Sequence, residues 1–191
     1  MNMPSVSLVP HQLKYGEYLF QLSADSQVYE NLSFRNENEK QVAEFIESIT
    51  QAEVNGTDVS RVILNEEHVP IGVTTLMGID PQEKSASLGS WLGVDYWRKG
   101  YNEAAKREIL RIAFLELGLE KVFIGTRKGN IRSQKAQKKL PYITLHVETQ
   151  YPSVHQAVEE KEKQPCILNV VYIEDFLDYL TKDGFDPSIP F

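Results

Sequence analysis

The sequence predicts an α/β protein of the α+β kind, with a mixed, mostly antiparallel central sheet flanked by helices. Three observations predict it. Segments 59–65, 69–79 and 85–94 are strand-like and follow one another through short polar turns, the pattern of an antiparallel meander. A long amphipathic helix then separates the third strand from an apolar strand at 121–126, and a helical crossover makes that pair parallel. Two further strands and a last helix complete an order that gives a mixed sheet covered by helices.

Each element has its own reason. Val6 to Val9 reads as a short strand stopped by Pro10. Residues 11–23 carry Leu13, Tyr18, Leu19 and Leu22 at helical spacing, although Gly16 is a poor helix former. Residues 25–36 are polar with scattered aromatics, Tyr29 and Phe34, and read as a loop around a short helix that could border a cleft. Residues 38–54 place Val42, Phe45, Ile46 and Ile49 on one helical face, ended by Asn55 and Gly56. Glu66, Glu67 and His68 form a distal hairpin turn, and Asp80-Pro81 closes the next strand. Residues 101–117 form the long helix, stopped around Gly118. Residues 130–140 form a short basic helix stopped by Pro141, 142–148 alternate as a strand does, and 151–164 form a charged, solvated excursion. Residues 166–173 are a strongly apolar strand, and Phe176, Leu177 and Leu180 mark a helix that docks on the body.

With 191 residues, the chain is long enough for one domain with a full core, spanning 1–191. A net charge of -7 argues against a general nucleic-acid binder or a binder of anionic membranes, and suits a cationic partner such as an amine. The single cysteine, Cys166, excludes an internal disulfide and the metal patterns that need paired cysteines, so no metal is expected. Flanked by Pro165 and an apolar run, Cys166 reads as a buried, inert thiol. The start shows no secretion signal, and no run of about twenty apolar residues exists to span a bilayer. A cytoplasmic protein is expected.

The chemistry concentrates in residues 88–106. Trp91, Leu92 and Val94 give a strand its bulk, and Gly93 is placed to let another backbone come close. Arg98, Lys99 and Gly100 make a basic turn, and Asn102 suits the start of the helix that follows. A helix start offers unpaired N–H groups and the positive end of the dipole, so an anion such as phosphate sits there readily.

These residues resemble the GCN5-related N-acetyltransferase family, in the branch of the ribosomal-protein alanine acetyltransferases. The family's acyl-CoA motif is Gln or Arg, two variable residues, Gly, one variable residue, then Gly or Ala; here it falls on Trp97-Arg98-Lys99-Gly100-Tyr101-Asn102, with Gly100 in place and Trp97 and Asn102 departing from it. Residues 114–122, followed by the Asn130-x-x-Ser133 helix start, are similar to the family's second conserved patch, with Pro141 where a glycine is usual.

The resemblance implies transfer of an acetyl group from acetyl-CoA, a cosubstrate, to a primary amine by direct attack, without a covalent enzyme intermediate. It implies a parallel strand pair, 88–94 and 121–126, that splays apart around the donor. The backbone of Leu92, Gly93 and Val94 would pair with the pantetheine arm. The amides of Arg98, Lys99, Gly100, Tyr101, Asn102 and Glu103 would hold the pyrophosphate. Asn130 would contact the arm or cap its helix. Ser133 is the candidate proton donor to the leaving thiolate, and His146 the nearest titratable candidate for the base. The carboxylate that the family often carries on a central strand is replaced by Ser85, Ser87 and Ser90. The acceptor is a protein N-terminal amine or a small molecule such as a polyamine, aminoglycoside or amino-acid analogue. A non-catalytic acyl-CoA-binding module is the rival reading. A homodimer is common in the branch and is expected on that ground alone.

Overall fold

A computed structural model describes residues 3–32 and 38–184. Phe34 and the end of the 25–36 segment lie outside the described residues. The strands are β1 (Ser7–Val9), β2 (Val59–Leu64), β3 (Pro70–Asp80), β4 (Ser85–Leu92), β5 (Lys121–Arg127) and β6 (Cys166–Tyr172). They form one sheet in sequential order, antiparallel throughout except for the parallel pair β4 and β5. The mixed sheet that the sequence predicts is therefore present.

Helices cover both faces. On one face lie α4 (Tyr101–Arg111) and α7 (Ile173–Lys182), where Ile109, Leu110, Phe114, Phe176 and Leu180 pack on Leu76, Leu88 and Val122. Each such side chain taken out of water contributes about 1.5–3 kcal/mol before entropy is counted. The long helix loosens at its end: Leu117 N–H bonds Ile112 O at 3.0 Å, and residues Ile112–Glu116 form a π-helical turn. The other face carries α1 (Leu13–Ala24), the single-turn α2 (Ser26–Tyr29), α3 (Glu39–Val54) and α6 (Pro152–Glu162). Gly16 is tolerated inside α1 because a Cβ there would stand 2.8 Å from Val42 of α3. The short helix α5 (Ile131–Lys138) follows β5.

The predicted strand over 142–148 does not form. Only Thr144 makes a bridge, to Val170 of β6. Tyr142, Ile143 and Val147 are buried all the same, so the alternation recorded burial and not pairing. His146 adopts φ 59°, in the left-handed region, which breaks the extended path. The segment meets β6 again through Val147 N–H to Leu168 O and through two bonds that involve side chains, His146 N–H to Asn169 Oδ1 and Leu168 N–H to Glu148 Oε1.

The charged excursion at 151–164 is mostly the helix α6. Pro152 occupies its first turn, and Val154 and Val158 lie one turn apart on the face packed against Phe123 and Leu168. Gly125 of β5 makes room for it, since a Cβ there would meet Val158 at 2.5 Å.

Candidate functional site

The two parallel strands pair only at Ser85–Lys121, Ala86–Val122 and Ser87–Phe123. Beyond these, β4 stays with β3 as far as Leu92, while β5 stays with β6 as far as Arg127. Each strand is held by its outer neighbour, and a gap opens between them. A cavity of about 770 Å³ occupies this gap and reaches both faces of the sheet. Thr75, Met77, Trp91 and Val158 line it on the face of α1, α3 and α6; Asn102, Lys106, Thr126, Ser133 and Gln137 line it on the other.

Backbone direction alternates along β4. Gly93 N–H donates to Ile71 O at 2.9 Å, which commits Gly93 to the β3 side. By alternation, Leu88, Ser90 and Leu92 turn their N–H and C=O groups toward the gap. Of Leu92, Gly93 and Val94, only Leu92 faces it along the strand. Gly93 is also not the point of close backbone approach: the space a Cβ would take is filled by the Leu22 side chain, which would stand 2.7 Å from it.

After β4 the chain makes a 3-10 turn over Val94–Tyr96 and enters α4 with Gly100 as the N-cap at φ 88°, a conformation that favours glycine. The helix starts at Tyr101, one residue before the predicted Asn102, which sits in the first turn and lines the cavity. Gly100 offers no capping side chain, so the N–H groups of Tyr101, Asn102 and Glu103 take none from the cap position. Arg98 and Lys99 are exposed. Trp97 is fixed from two sides, donating from Nε1 to Leu92 O at 2.8 Å while the Arg132 guanidinium stacks on its ring. The hairpin turn holding Glu66 is not distal: Tyr101 Oη donates to Glu66 Oε2 at 2.8 Å, and this bond pushes the Tyr101 phenol up.

Asn130 caps α5, its Oδ1 accepting from Ser133 N–H at 3.1 Å, and it also lines the cavity. Ser133 belongs to a buried network. Gln137 Nε2 donates to Thr126 Oγ1 at 2.6 Å and to Ser133 Oγ at 3.0 Å. Gln137 Oε1 accepts from Asn169 Nδ2 at 2.7 Å, and Asn169 Oδ1 accepts from His146 N–H at 2.9 Å. Because Gln137 supplies the donor to both hydroxyls, the Ser133 proton can turn to Thr126 Oγ1, 3.5 Å away, or to the cavity. His146 thus reaches the site through its backbone. Its imidazole is 65% exposed, near Glu148, and does not line the cavity.

Several site residues carry no signal in a linear motif. Arg127 closes one wall, with Nε 2.6 Å from Glu162 of α6 and Nη1 donating to Glu30 O at 2.9 Å. Thr75 shares a 2.7 Å hydrogen bond with Ser60 Oγ, which lies 2.9 Å from His11 Nε2. Burial, with Arg61 nearby, holds the His11 imidazole down to about 4, so it is neutral at pH 7. Lys106, one helical turn beyond Asn102, is 5% exposed and has its ammonium pushed down to about 8 by burial. The pair Val154 and Val158 was the one available sign that α6 forms a wall.

A family model described as an acetyltransferase (GNAT) domain matches residues 6–142. A Bacillus subtilis (strain 168) protein, YdaF, whose name assigns it provisionally to the ribosomal N-acetyltransferases, is 29% identical over 72 residues; the match spans 38% of this chain and 39% of that protein's length. Among solved structures, apo FdhC, a nucleotide-linked sugar GNAT, superposes with a TM-score of 0.75 at 18% identity, covering 96% of this chain and 97% of its own. The Vibrio cholerae spermidine N-acetyltransferase, solved with CoA and spermine, gives 0.70 at 11% identity, covering 91% of this chain and 98% of its own. At these identities the two likenesses are ones of fold.

Proposed function

The chain belongs to the GNAT acetyltransferase family, and we propose that it moves an acetyl group from acetyl-CoA to a primary amine by direct attack, with a protein N-terminal amine as the acceptor. The observation that carries this reading is the parting of β4 and β5 after Ser87 and Phe123, beside a helix start whose cap residue leaves the first amides without a capping side chain. The residues fit the donor. A long, thin arm can lie in the gap along Ser90 and Leu92, while a diphosphate meets the amides of Arg98 to Glu103 and the helix dipole. Bound acetyl-CoA supplies an activated acyl thioester, so the chain itself need only orient the amine and manage two protons.

Ser133 is placed to manage one of them. With Gln137 donating to its oxygen, its hydroxyl proton is available to the departing thiolate. The second proton leaves the amine on the Thr75 side of the cavity, where Ser60 connects Thr75 to neutral His11. His146 takes no part through its ring, and Asn130 acts by holding the start of α5. The acceptor class is supported by the YdaF name and by the chain's acidity, which attracts cationic amines. Among the described residues, no helix is long and apolar enough to cross a membrane. A cytoplasmic location, a single domain over 1–191 and a homodimer complete the proposal.

Thiol release from acetyl-CoA tests it, measured against peptides with free N-termini, polyamines and other small amines. Turnover with N-terminal peptides is expected. Turnover with polyamines alone would move the acceptor to small molecules, and binding of acetyl-CoA without thiol release from any amine would leave a non-catalytic module.

A further inference from the structure

On the α4 side of the cavity, where Asn102, Thr126, Ser133 and Gln137 are uncharged, Lys106 is the exception. It is 5% exposed and lines the cavity on the α4 side of the gap. Neither a hydrogen bond nor an ion pair engages its ammonium among the described residues, and burial alone accounts for its behaviour. A buried ammonium without a counter-charge is strongly disfavoured. The only carboxylate that lines the cavity among the described residues, Glu162, is already 2.6 Å from Arg127. Lys106 therefore lacks a partner among the described residues while facing the space in which a ligand would lie.

We infer that Lys106 is the counter-charge for an anionic group, a carboxylate or a phosphate, that the ligand carries into the cavity. The inference rests on the proposed thioester donor for the identity of that ligand. Two parts of such a donor could supply the anion. One is a carboxylate at the far end of the acyl group, as in a succinyl thioester. The other is the diphosphate. Lys106 shares a helix face with Asn102 at a spacing of four residues, and helical side chains lean toward the N-terminus, so both sources are within its geometry. In the first case the residue sets acyl specificity; in the second it sets donor affinity.

The test compares the full chain with Lys106→Met and Lys106→Arg by calorimetric titration of acetyl-CoA, succinyl-CoA and acetyl-pantetheine, which lacks the phosphates. If the acyl carboxylate is the partner, the wild type prefers succinyl-CoA to acetyl-CoA by about tenfold or more, and Lys106→Met removes the preference. If the diphosphate is the partner, Lys106→Met weakens both CoA thioesters by a similar factor and leaves acetyl-pantetheine unchanged. In either case Lys106→Arg keeps most of the affinity. Thermal melting provides a second readout that does not depend on acyl-CoA: inorganic pyrophosphate or succinate should raise the melting temperature of the wild type and not of Lys106→Met. Wild-type protein that binds no acyl-CoA but shows this difference would refute the proposed donor and retain the anion subsite. Equal binding of every ligand by wild type and Lys106→Met, with equal melting shifts, would overturn the inference.

Discussion

The Arg132 guanidinium lies 3.3 Å from the centroid of the Trp97 ring, joining the first turn of α5 to the turn that precedes α4. The two sides of the gap are thereby clamped at the end where the strands are farthest from their shared pairing. Arg132→Ala is expected to lower stability by about 1 kcal/mol. Trp97→Ala also removes the Nε1 bond to Leu92 O and packing against Ile63, Ile71 and Leu92, and should cost about 2–4 kcal/mol. Urea denaturation of the two variants reads both values, and acetyl-CoA affinity should fall in the same order.

Gly100 has two constraints. Its φ of 88° strains any residue with a side chain, and a Cβ would stand 2.8 Å from Pro4. Gly100→Glu would set a carboxylate beside the helix start and strain the turn as well. Even the smaller Gly100→Ala should cost about 1–2 kcal/mol. Melting curves of Gly100→Ala without ligand check it, and an unchanged melting temperature would show that the turn relaxes freely.

Gln137 is 3% exposed and serves Thr126, Ser133 and Asn169 at once. Gln137→Leu leaves Asn169 Nδ2 without its acceptor and should destabilise by about 1–3 kcal/mol. Ser133→Ala leaves most of that network in place. It should lower kcat by at least about tenfold, with little change in KM for acetyl-CoA. Steady-state kinetics separate the two variants, and a Ser133→Ala enzyme with wild-type kcat would remove the hydroxyl from proton transfer.

A half-buried histidine and a buried lysine give the protein opposite ends of a pH profile. His11 has a folded value of about 4 against 6.5 when free. The unfolded chain therefore binds the extra proton between pH 6.5 and 4, and stability falls across that window as pH drops, by at most about 3 kcal/mol. His11→Gln should flatten this loss. Lys106 has a folded value of about 8 against 10.5. Its burial penalty is present at neutral pH and is relieved as pH rises from 8 to 10.5, so Lys106→Met should be more stable than wild type at pH 7 without ligand. Denaturant midpoints across pH 4 to 10.5 measure both trends.

Much of the fold was legible because its signals are local. The meander β2 to β4 is written in alternation and turn residues, and the crossover through α4 dictates a parallel β5. The false strand at 142–148 shows where alternation misleads: Tyr142, Ile143 and Val147 are buried by side-chain packing, while the backbone turns at His146. The basic turn and the Asn130–Ser133 helix start were legible as motifs. His11, Ser60 and Thr75 were not, because they lie 49 and 15 residues apart: β2 and β3 register brings Ser60 beside Thr75, and the connection between β1 and α1 delivers His11. Lys106 was hidden in plain sight, since a lysine on a helix is ordinarily solvated and only the depth of the gap reveals its burial.

Amide hydrogen exchange of the wild-type protein, with and without saturating acetyl-CoA, tests most directly whether the gap and the start of α4 hold the donor. Slowed exchange at Tyr101, Asn102 and Glu103, together with Ser90 and Leu92, is the expected result. Acetyl-CoA that binds while these amides exchange at their free rate, with protection confined to another surface, would contradict it.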